Sequence, residues 1–113
     1  MMLTIQRLSA DLAVAGQLDV EAMADAADAG FRSVVNNRPD FEGGPSQPTS
    51  ASIEAAARAA GLAYAFLPVS PSVQTPEDIA RFAALLESMP KPILAFCRTG
   101  TRSGKLARAA GAF

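Results

Sequence analysis

The stretch Pro92-Ile93-Leu94-Ala95-Phe96-Cys97-Arg98-Thr99-Gly100-Thr101-Arg102-Ser103 decides the fold of this chain. Its apolar first half predicts a buried strand, and its polar second half predicts a short loop followed by a helix. In such a strand–loop–helix segment, the loop N–H groups and the helix N-terminus converge on one point. A thiol at that point is shifted toward the thiolate, and a bound oxyanion is held beside it. The sequence therefore predicts that Cys97 is a nucleophile.

A structural role for Cys97 is the alternative interpretation. A lone cysteine is often a small apolar residue of the core. A core cysteine needs neither Gly100 nor the two flanking arginines, Arg98 and Arg102. The pattern of the whole loop therefore favours the nucleophile.

The overall composition predicts one compact domain over residues 1–113. Half of the 113 residues are hydrophobic, and the formal net charge is −1. No basic stripe indicates a nucleic-acid surface, and no apolar stretch reaches the length of a membrane span. The single cysteine excludes an internal disulfide and fits a reducing compartment. We therefore expect a cytoplasmic protein without nucleic-acid or membrane partners.

The chain contains no histidine. This excludes Ser-His and Cys-His catalysis, and it leaves a transition-metal site with almost no ligands. We therefore expect no metal and no cofactor. If Cys97 is activated, backbone dipoles and arginine must activate it.

Strand and helix patterns alternate along the chain. Strands are predicted over 3–8, 12–15, 31–36, 62–68 and 93–96, and the first two flank a polar turn. Helices are predicted over 20–29, 51–60 and 102–110. A further helix begins at Thr75-Pro76 and stops at Pro90. The predicted N-caps are Asp19, Ser50 and Thr75. This order predicts an α/β fold with a mainly parallel sheet flanked by helices. The loops after Asn36, Pro68 and Phe96 should then meet at the carboxyl edge of the sheet, where ligands bind.

Four segments resemble a known bacterial family. Residues 14–17, 34–40, 75–78 and 95–103 are similar, in order and spacing, to the phosphatase-like domains of beta-lactamase hydrolase-like proteins. The resemblance covers nearly the whole chain and implies a protein-tyrosine-phosphatase-like fold with a thiolate nucleophile. In that family the domain precedes a metallo-hydrolase or persulfide dioxygenase domain, so the resemblance also implies a partner of that kind.

The loop departs from the tyrosine-phosphatase pattern, in which a His-Cys pair is followed by any five residues and then by an arginine. Gly100 is third after the cysteine as expected, but Ser103 occupies the sixth position and the arginine comes one step earlier, at Arg102. Phe96 replaces the usual histidine. The shorter loop resembles the Cys-Arg-x-Gly-x-Arg loop of rhodanese sulfurtransferases, which suits a single transferred sulfur. The family resemblance thus favours a phosphatase, while the loop length favours sulfur transfer.

Phosphoryl transfer would use the loop as an anion cradle. The Cys97 thiolate would attack phosphorus in a small anionic phosphate ester, while Arg102 and Arg98 hold its oxygens. Backbone N–H groups over 99–103 would complete the cradle, which gives the binding residues Thr99, Gly100, Thr101 and Ser103.

The general acid of this mechanism must be a carboxylate, because the chain has no histidine. Asp40 is the first candidate and Glu42 the second; the alternative for Asp40 is a solvated turn residue after Pro39. Asp78 is predicted instead as the capping partner of Thr75.

Two further functions stay open on the sequence. As a sulfurtransferase, Cys97 would carry a sulfur taken from a sulfane-sulfur donor that Arg98 attracts, and Asp40 would be dispensable. As a non-catalytic module, the loop would only bind anions. Arg38 either points at the anion site or belongs to its own loop.

Overall fold

The five strands form one sheet, and the amphipathic helices pack on both of its faces. The computed structural model describes residues 3–113, so the first two residues of the predicted domain lie outside it. The elements, in chain order, are β1 (Ile5–Arg7), β2 (Leu12–Ala15), α1 (Val20–Asp28), β3 (Ser33–Asn36), α2 (Ser50–Ala59), β4 (Ala63–Phe66), α3 (Pro76–Ser88), β5 (Ile93–Phe96) and α4 (Thr101–Ala109). No helix within residues 3–113 has the length and apolarity needed to cross a bilayer.

The sheet has the order β1-β2-β5-β3-β4. Strand β1 pairs with β2 in the antiparallel sense, and the other neighbours are parallel. This confirms the predicted α/β fold with a mainly parallel sheet. Strand β5 lies between β2 and β3, with Ala95 in register with Val14 and Val35, which explains why its four residues are apolar and buried.

Each face of the sheet is covered by a pair of helices. Met23 of α1 and Ile53 of α2 pack on one face, in a cluster that includes Phe96. Phe82 of α3 and Leu106 of α4 pack on the other face. The central strand is thus shielded from water on both sides, and its carboxyl end, where Cys97 follows, has a fixed position.

The predicted elements are all present; β2 and β5 have the predicted bounds, and the ends of the others differ by at most two residues. Strands β1, β3 and β4 are shorter than predicted. The capping box of Thr75 and Asp78 is confirmed, and Asp19 caps α1. The predicted cap of α2 was wrong: Thr49 accepts the hydrogen bond from the N–H of Ser52, while the Ser50 hydroxyl lies 2.7 Å from the Tyr64 hydroxyl in the interior.

Two phenylalanines at the ends of the strands on either side of β3 provide a matched test of this architecture. Phe96 on β5 is fully buried, whereas Phe66 on the edge strand β4 is 40% exposed, and both are in register with Asn36. We expect Phe96→Ala to lower the free energy of unfolding by about 3–5 kcal/mol, because it leaves a cavity between sheet and helices. Phe66→Ala should cost about 1 kcal/mol or less. Urea denaturation of both variants measures the difference, and equal losses would contradict the central position of β5.

Candidate active site

The loops that follow β3, β4 and β5 meet at one edge of the sheet, as the parallel pairing predicts. The Ser103 hydroxyl donates to Asn37 Oδ1 at 2.8 Å, which joins the start of α4 to the loop after β3. Arg102 Nη1 donates to the carbonyl of Val69 at 3.1 Å, which joins α4 to the loop after β4. These contacts assemble a site from segments that are distant in the sequence.

The loop after β5 wraps around the sulfur of Cys97. The N–H of Gly100 donates to Sγ at 3.1 Å. Gly100 has φ 92°, in the left-handed region that favours glycine, and a Cβ there would lie 3.4 Å from the carbonyl carbon of Ala15. It is also the N-cap of α4, and it provides no side chain to cap the first N–H groups. Those N–H groups therefore remain available to the sulfur and to an anion beside it.

The environment favours the thiolate form of Cys97. Burial raises the pKa of the thiol, but hydrogen bonds from the backbone of Ser103 and Thr99, the Ser103 hydroxyl and the N–H of Gly100 outweigh burial and leave the pKa below its ordinary value of 9.0. The Ser103 hydroxyl has one proton, which it donates to Asn37 in this structure. It can stabilise the sulfur anion fully only when it turns from Asn37 toward Sγ.

An open cavity of about 390 Å³ lies over this sulfur. Cys97 is only 1% exposed, yet it lines the cavity, so the sulfur is reached from one direction. The lining residues are Pro71, Ser72, Gln74, Cys97, Arg98, Thr99, Thr101, Arg102 and Lys105. Three of them are cations and none is an anion, which makes the cavity suited to a negatively charged ligand.

Arg102 is held rigidly beside this cavity. Its Nη1 and Nη2 donate to the two carboxylate oxygens of Glu42, each at 3.0 Å, in a bidentate pair. Its buried Nε–H makes no hydrogen bond with any residue within 3–113. The guanidinium is therefore fixed through Nη1 and Nη2, and its Nε–H is available to a ligand.

Arg38 belongs to the support of this pair. Its Nε donates to Glu42 at 2.9 Å and its Nη1 to Gln17 at 3.0 Å. A Cβ at Gly43 would lie 2.6 Å from Arg38 Nη2, so the absence of a side chain at Gly43 leaves room for the guanidinium. Arg38 does not line the cavity over Cys97, although it lines a neighbouring one. Of the two sequence interpretations, the structure thus places Arg38 chiefly within its own loop.

Glu42 is ionised between the two arginines. Its burial raises the pKa of the carboxyl, but the hydrogen bonds and charges of Arg102 and Arg38 outweigh burial and lower the pKa below 4.5. A carboxylate stabilised in this way is a poor proton donor. Glu42, the second candidate for the general acid, therefore serves as the counter-charge of Arg102.

Asp40, the first candidate for the general acid, is directed elsewhere. Its Oδ1 accepts a hydrogen bond from the N–H of Ser50 at 2.7 Å, at the start of α2. It does not line the cavity over Cys97. The structure therefore does not bring Asp40 to the sulfur, because the first turn of α2 already uses its carboxylate.

The sequence analysis missed several residues of the site. Lys105 and Gln74 line the cavity, and Gln74 Nε2 also donates to the carbonyl of Arg102 at 2.9 Å. The fully buried Asn37 orients the Ser103 hydroxyl, and its Nδ2 donates to the carbonyl of Leu67 at 3.1 Å. A polar residue directly after a buried strand was the available signal for Asn37. Nothing in the sequence distinguished Lys105 from any other helical lysine.

The fold and the cysteine loop together define a phosphatase-like domain. The family model "Beta-lactamase hydrolase-like protein, phosphatase-like domain" matches residues 4–112, and the chain belongs to this family. The beta-lactamase hydrolase-like protein of Xylella fastidiosa (strain Temecula1) is 40% identical over 92 residues, which are 81% of this chain and 21% of that protein. The chain thus spans about a fifth of the length of its curated relatives.

Solved structures agree with this assignment. A crystal structure of a candidate phosphatase from Neisseria meningitidis has a TM-score of 0.85 and 32% identity, and the match covers 93% of this chain and 74% of that one. A mutant form of Tk-PTP has a TM-score of 0.76 over 95% of this chain and 69% of that one, at 19% identity, and supports the fold alone. The predicted family and the tyrosine-phosphatase-like fold are confirmed.

The role of Glu42 as a counter-charge can be tested by stability measurements. Glu42→Gln should lower the free energy of unfolding at pH 7 by roughly 3 kcal/mol, because it leaves two buried guanidiniums without their carboxylate. The control Glu54→Gln removes an exposed partner of Arg58 and should cost about 0.5 kcal/mol or less. Because the folded pKa of Glu42 is lowered, its contribution is fully present above pH 4.5 and is lost as the pH falls through the folded value. Equal losses in the two variants at pH 7 would show that Glu42 has no such role.

The thiolate character of Cys97 predicts its rate of alkylation. Because the chain has one cysteine, iodoacetamide labelling followed by mass spectrometry reports on this site alone. The rate should reach half its maximum below pH 9.0, since the hydrogen bonds to sulfur lower the pKa of the thiol. Ser103→Ala should move the midpoint upward, whereas Thr99→Ala, which keeps its backbone N–H, should leave it in place. A midpoint at or above pH 9.0 in the unmodified protein would refute the activation.

Proposed function

We propose that this domain is a cysteine-dependent phosphatase-like hydrolase, in which the Cys97 thiolate attacks a phosphate ester. The observation that carries the proposal is the convergence of backbone N–H groups on Sγ at the base of a cavity whose charged side chains are all cations. The same donors that favour the thiolate would hold the equatorial oxygens of a phosphoryl group. Membership of a phosphatase-like family supports the same reaction class.

Arg102 would provide the decisive contact with the anion. Its Nη1 and Nη2 are occupied by Glu42, while its Nε–H is buried and makes no hydrogen bond with the described residues. A buried donor of this kind is costly unless a partner satisfies it. A phosphoryl oxygen in the cavity would be that partner. The shorter spacing between Cys97 and Arg102 is compatible with this role, because Arg102 lines the cavity from the first turn of α4.

The reaction would run in two displacement steps. In the first, an Sγ–P bond forms while the P–O bond of the ester breaks, and the leaving oxygen takes the electron pair. In the second, a water oxygen attacks the phosphorus, the S–P bond breaks and its electron pair returns to Sγ. Both protons of the water stay on the phosphate product. The Ser103 hydroxyl, turned from Asn37 toward Sγ, would stabilise the departing thiolate.

The other members of the loop would act through their backbone or their charge. Thr99, Thr101 and Ser103 would contribute N–H groups, and Arg98 at the cavity rim would attract the anionic substrate. Because the chain spans about a fifth of its curated relatives, we also propose that it acts beside a further catalytic domain of the metallo-hydrolase or persulfide dioxygenase type. We place this activity in the cytoplasm, where a reducing environment keeps a thiolate free.

A side-by-side assay tests the proposal. The purified protein should hydrolyse p-nitrophenyl phosphate, and it should not transfer sulfur from thiosulfate to cyanide. Cys97→Ser should abolish hydrolysis, a loss of at least roughly 1,000-fold, because a hydroxyl without an adjacent base is a poor nucleophile. Its thermal unfolding midpoint should stay within a few degrees of the unmodified protein, which serves as the control for folding.

Mass spectrometry of Cys97 after rapid quenching identifies the intermediate. A phosphoryl group on the sulfur is the expected result. An added sulfur atom, together with thiocyanate production, would replace the hydrolase by a sulfurtransferase. Hydrolysis retained by Cys97→Ser would place the activity elsewhere.

A further inference from the structure

Carboxylates near the sulfur are engaged in other contacts. Among the loops at the carboxyl edge of the sheet, Asp19 caps α1, Asp40 accepts from the first N–H of α2, and Glu42 is bound by two arginines. Asp78, in the first turn of α3, forms a capping box. Each of these carboxylates stabilises the fold as an acceptor, and none lines the cavity over Cys97.

The segment that faces the sulfur across the cavity is also free of acids. The loop between β4 and α3 contributes Pro71, Ser72 and Gln74 to the lining. Residues 67–75 contain no aspartate or glutamate, so a movement of this loop would not deliver one. The chain contains no histidine that could take over the task. The described cavity therefore has no carboxyl or imidazole group that could protonate a leaving oxygen, and Lys105 enters it as a cation.

A second cavity adjoins the first one. It has a volume of about 430 Å³, and it shares Pro71, Arg98 and Arg102 with the cavity over Cys97. Arg98 thus stands at the boundary of both cavities. Arg98 and Lys105 take part in none of the ion pairs formed within residues 3–113, so their charges are available to a ligand.

The geometry points to phosphoric anhydrides as the substrates of this site: a phosphoryl group joined to a carboxylate or to a second phosphate, with the leaving anion held by Arg98. This inference rests on the proposed function, since it assumes attack by Cys97. A positioned general acid is needed when the leaving oxygen is strongly basic, as in an alkyl or phenyl ester. A carboxylate or phosphate leaves as a stable anion and needs no proton.

The first displacement of an anhydride needs no proton from a general acid. The Sγ–P bond forms, the anhydride P–O bond breaks, and the leaving oxygen keeps the electron pair as an anion. Arg98 compensates for the charge that this oxygen gains. The second displacement is the hydrolysis described above, with both water protons retained on the phosphate.

A comparison of two leaving groups tests the inference that no general acid acts at this site. Without a positioned acid, kcat/KM should be roughly 100-fold or more higher for p-nitrophenyl phosphate than for phenyl phosphate, because phenolate is the more basic leaving group. A positioned acid contributes about 10²–10⁴-fold with a basic leaving group and would therefore reduce this difference. Asp40→Asn should leave the ratio between the two substrates unchanged. A ratio near one, or a ratio that rises in Asp40→Asn, would overturn the inference.

Two anhydrides and one alkyl ester test the substrate class. Acetyl phosphate or inorganic pyrophosphate should be hydrolysed with a kcat/KM at least equal to that of p-nitrophenyl phosphate, and glycerol phosphate should show no turnover. Activity with acetyl phosphate alone would identify a carboxylate as the leaving group, and activity with pyrophosphate alone would identify a phosphate. If p-nitrophenyl phosphate is hydrolysed and neither anhydride is, the inference fails while the proposed function stands. If no compound is hydrolysed, both fail.

An arginine substitution tests the position of the leaving anion. Arg98→Ala should raise the KM for the active anhydride roughly tenfold, because a charge-assisted hydrogen bond is lost. The control Arg81→Ala removes an exposed arginine of α3, paired with Glu77, and should leave the KM unchanged. The same KM in both variants would place the leaving anion elsewhere.

Discussion

The bidentate pair between Glu42 and Arg102 holds the site together. Glu42 comes from the loop after β3, and Arg102 comes from the first turn of α4, sixty residues later in the chain. The same guanidinium donates to the carbonyl of Val69, in the loop after β4. One side chain therefore fixes three segments against each other, and its bonds are buried enough to be only weakly screened by water.

This arrangement explains how a cysteine can be activated without histidine. Burial by itself would oppose the thiolate, since an anion loses hydration energy in the interior. The N–H groups at the start of α4 reverse this effect, because they point at the sulfur and Gly100 leaves them without a competing side-chain cap. The cations are arranged around the opening rather than against the sulfur. Backbone dipoles thus lower the pKa of the Cys97 thiol, and the cations of the lining make the cavity suited to an anion.

The sequence predicted the fold and the strand–loop–helix segment around Cys97 because both depend on local patterns. The apolar run over 93–96 is typical of a strand buried on both faces, and the loop from Cys97 to Gly100 follows it directly. The partners of the loop were harder to predict. Asp40 and Glu42 are two residues apart in the same irregular loop, and no periodicity indicates which way either side chain turns. Their different roles depend on tertiary contacts: the start of α2 lies within reach of Asp40, and Arg38 and Arg102 lie within reach of Glu42.

Gly43 has a consequence for how such a site is recognised in other chains. Its backbone is not in the left-handed region, so a side chain would be conformationally allowed there. The Arg38 guanidinium is what fills the space that a methyl group would need. A comparison restricted to charged and nucleophilic residues would not include this position. Even an alanine there would displace Arg38, which supports the pair of Glu42 and Arg102. Gly43 is therefore a diagnostic position for whether a related chain retains an intact arginine support.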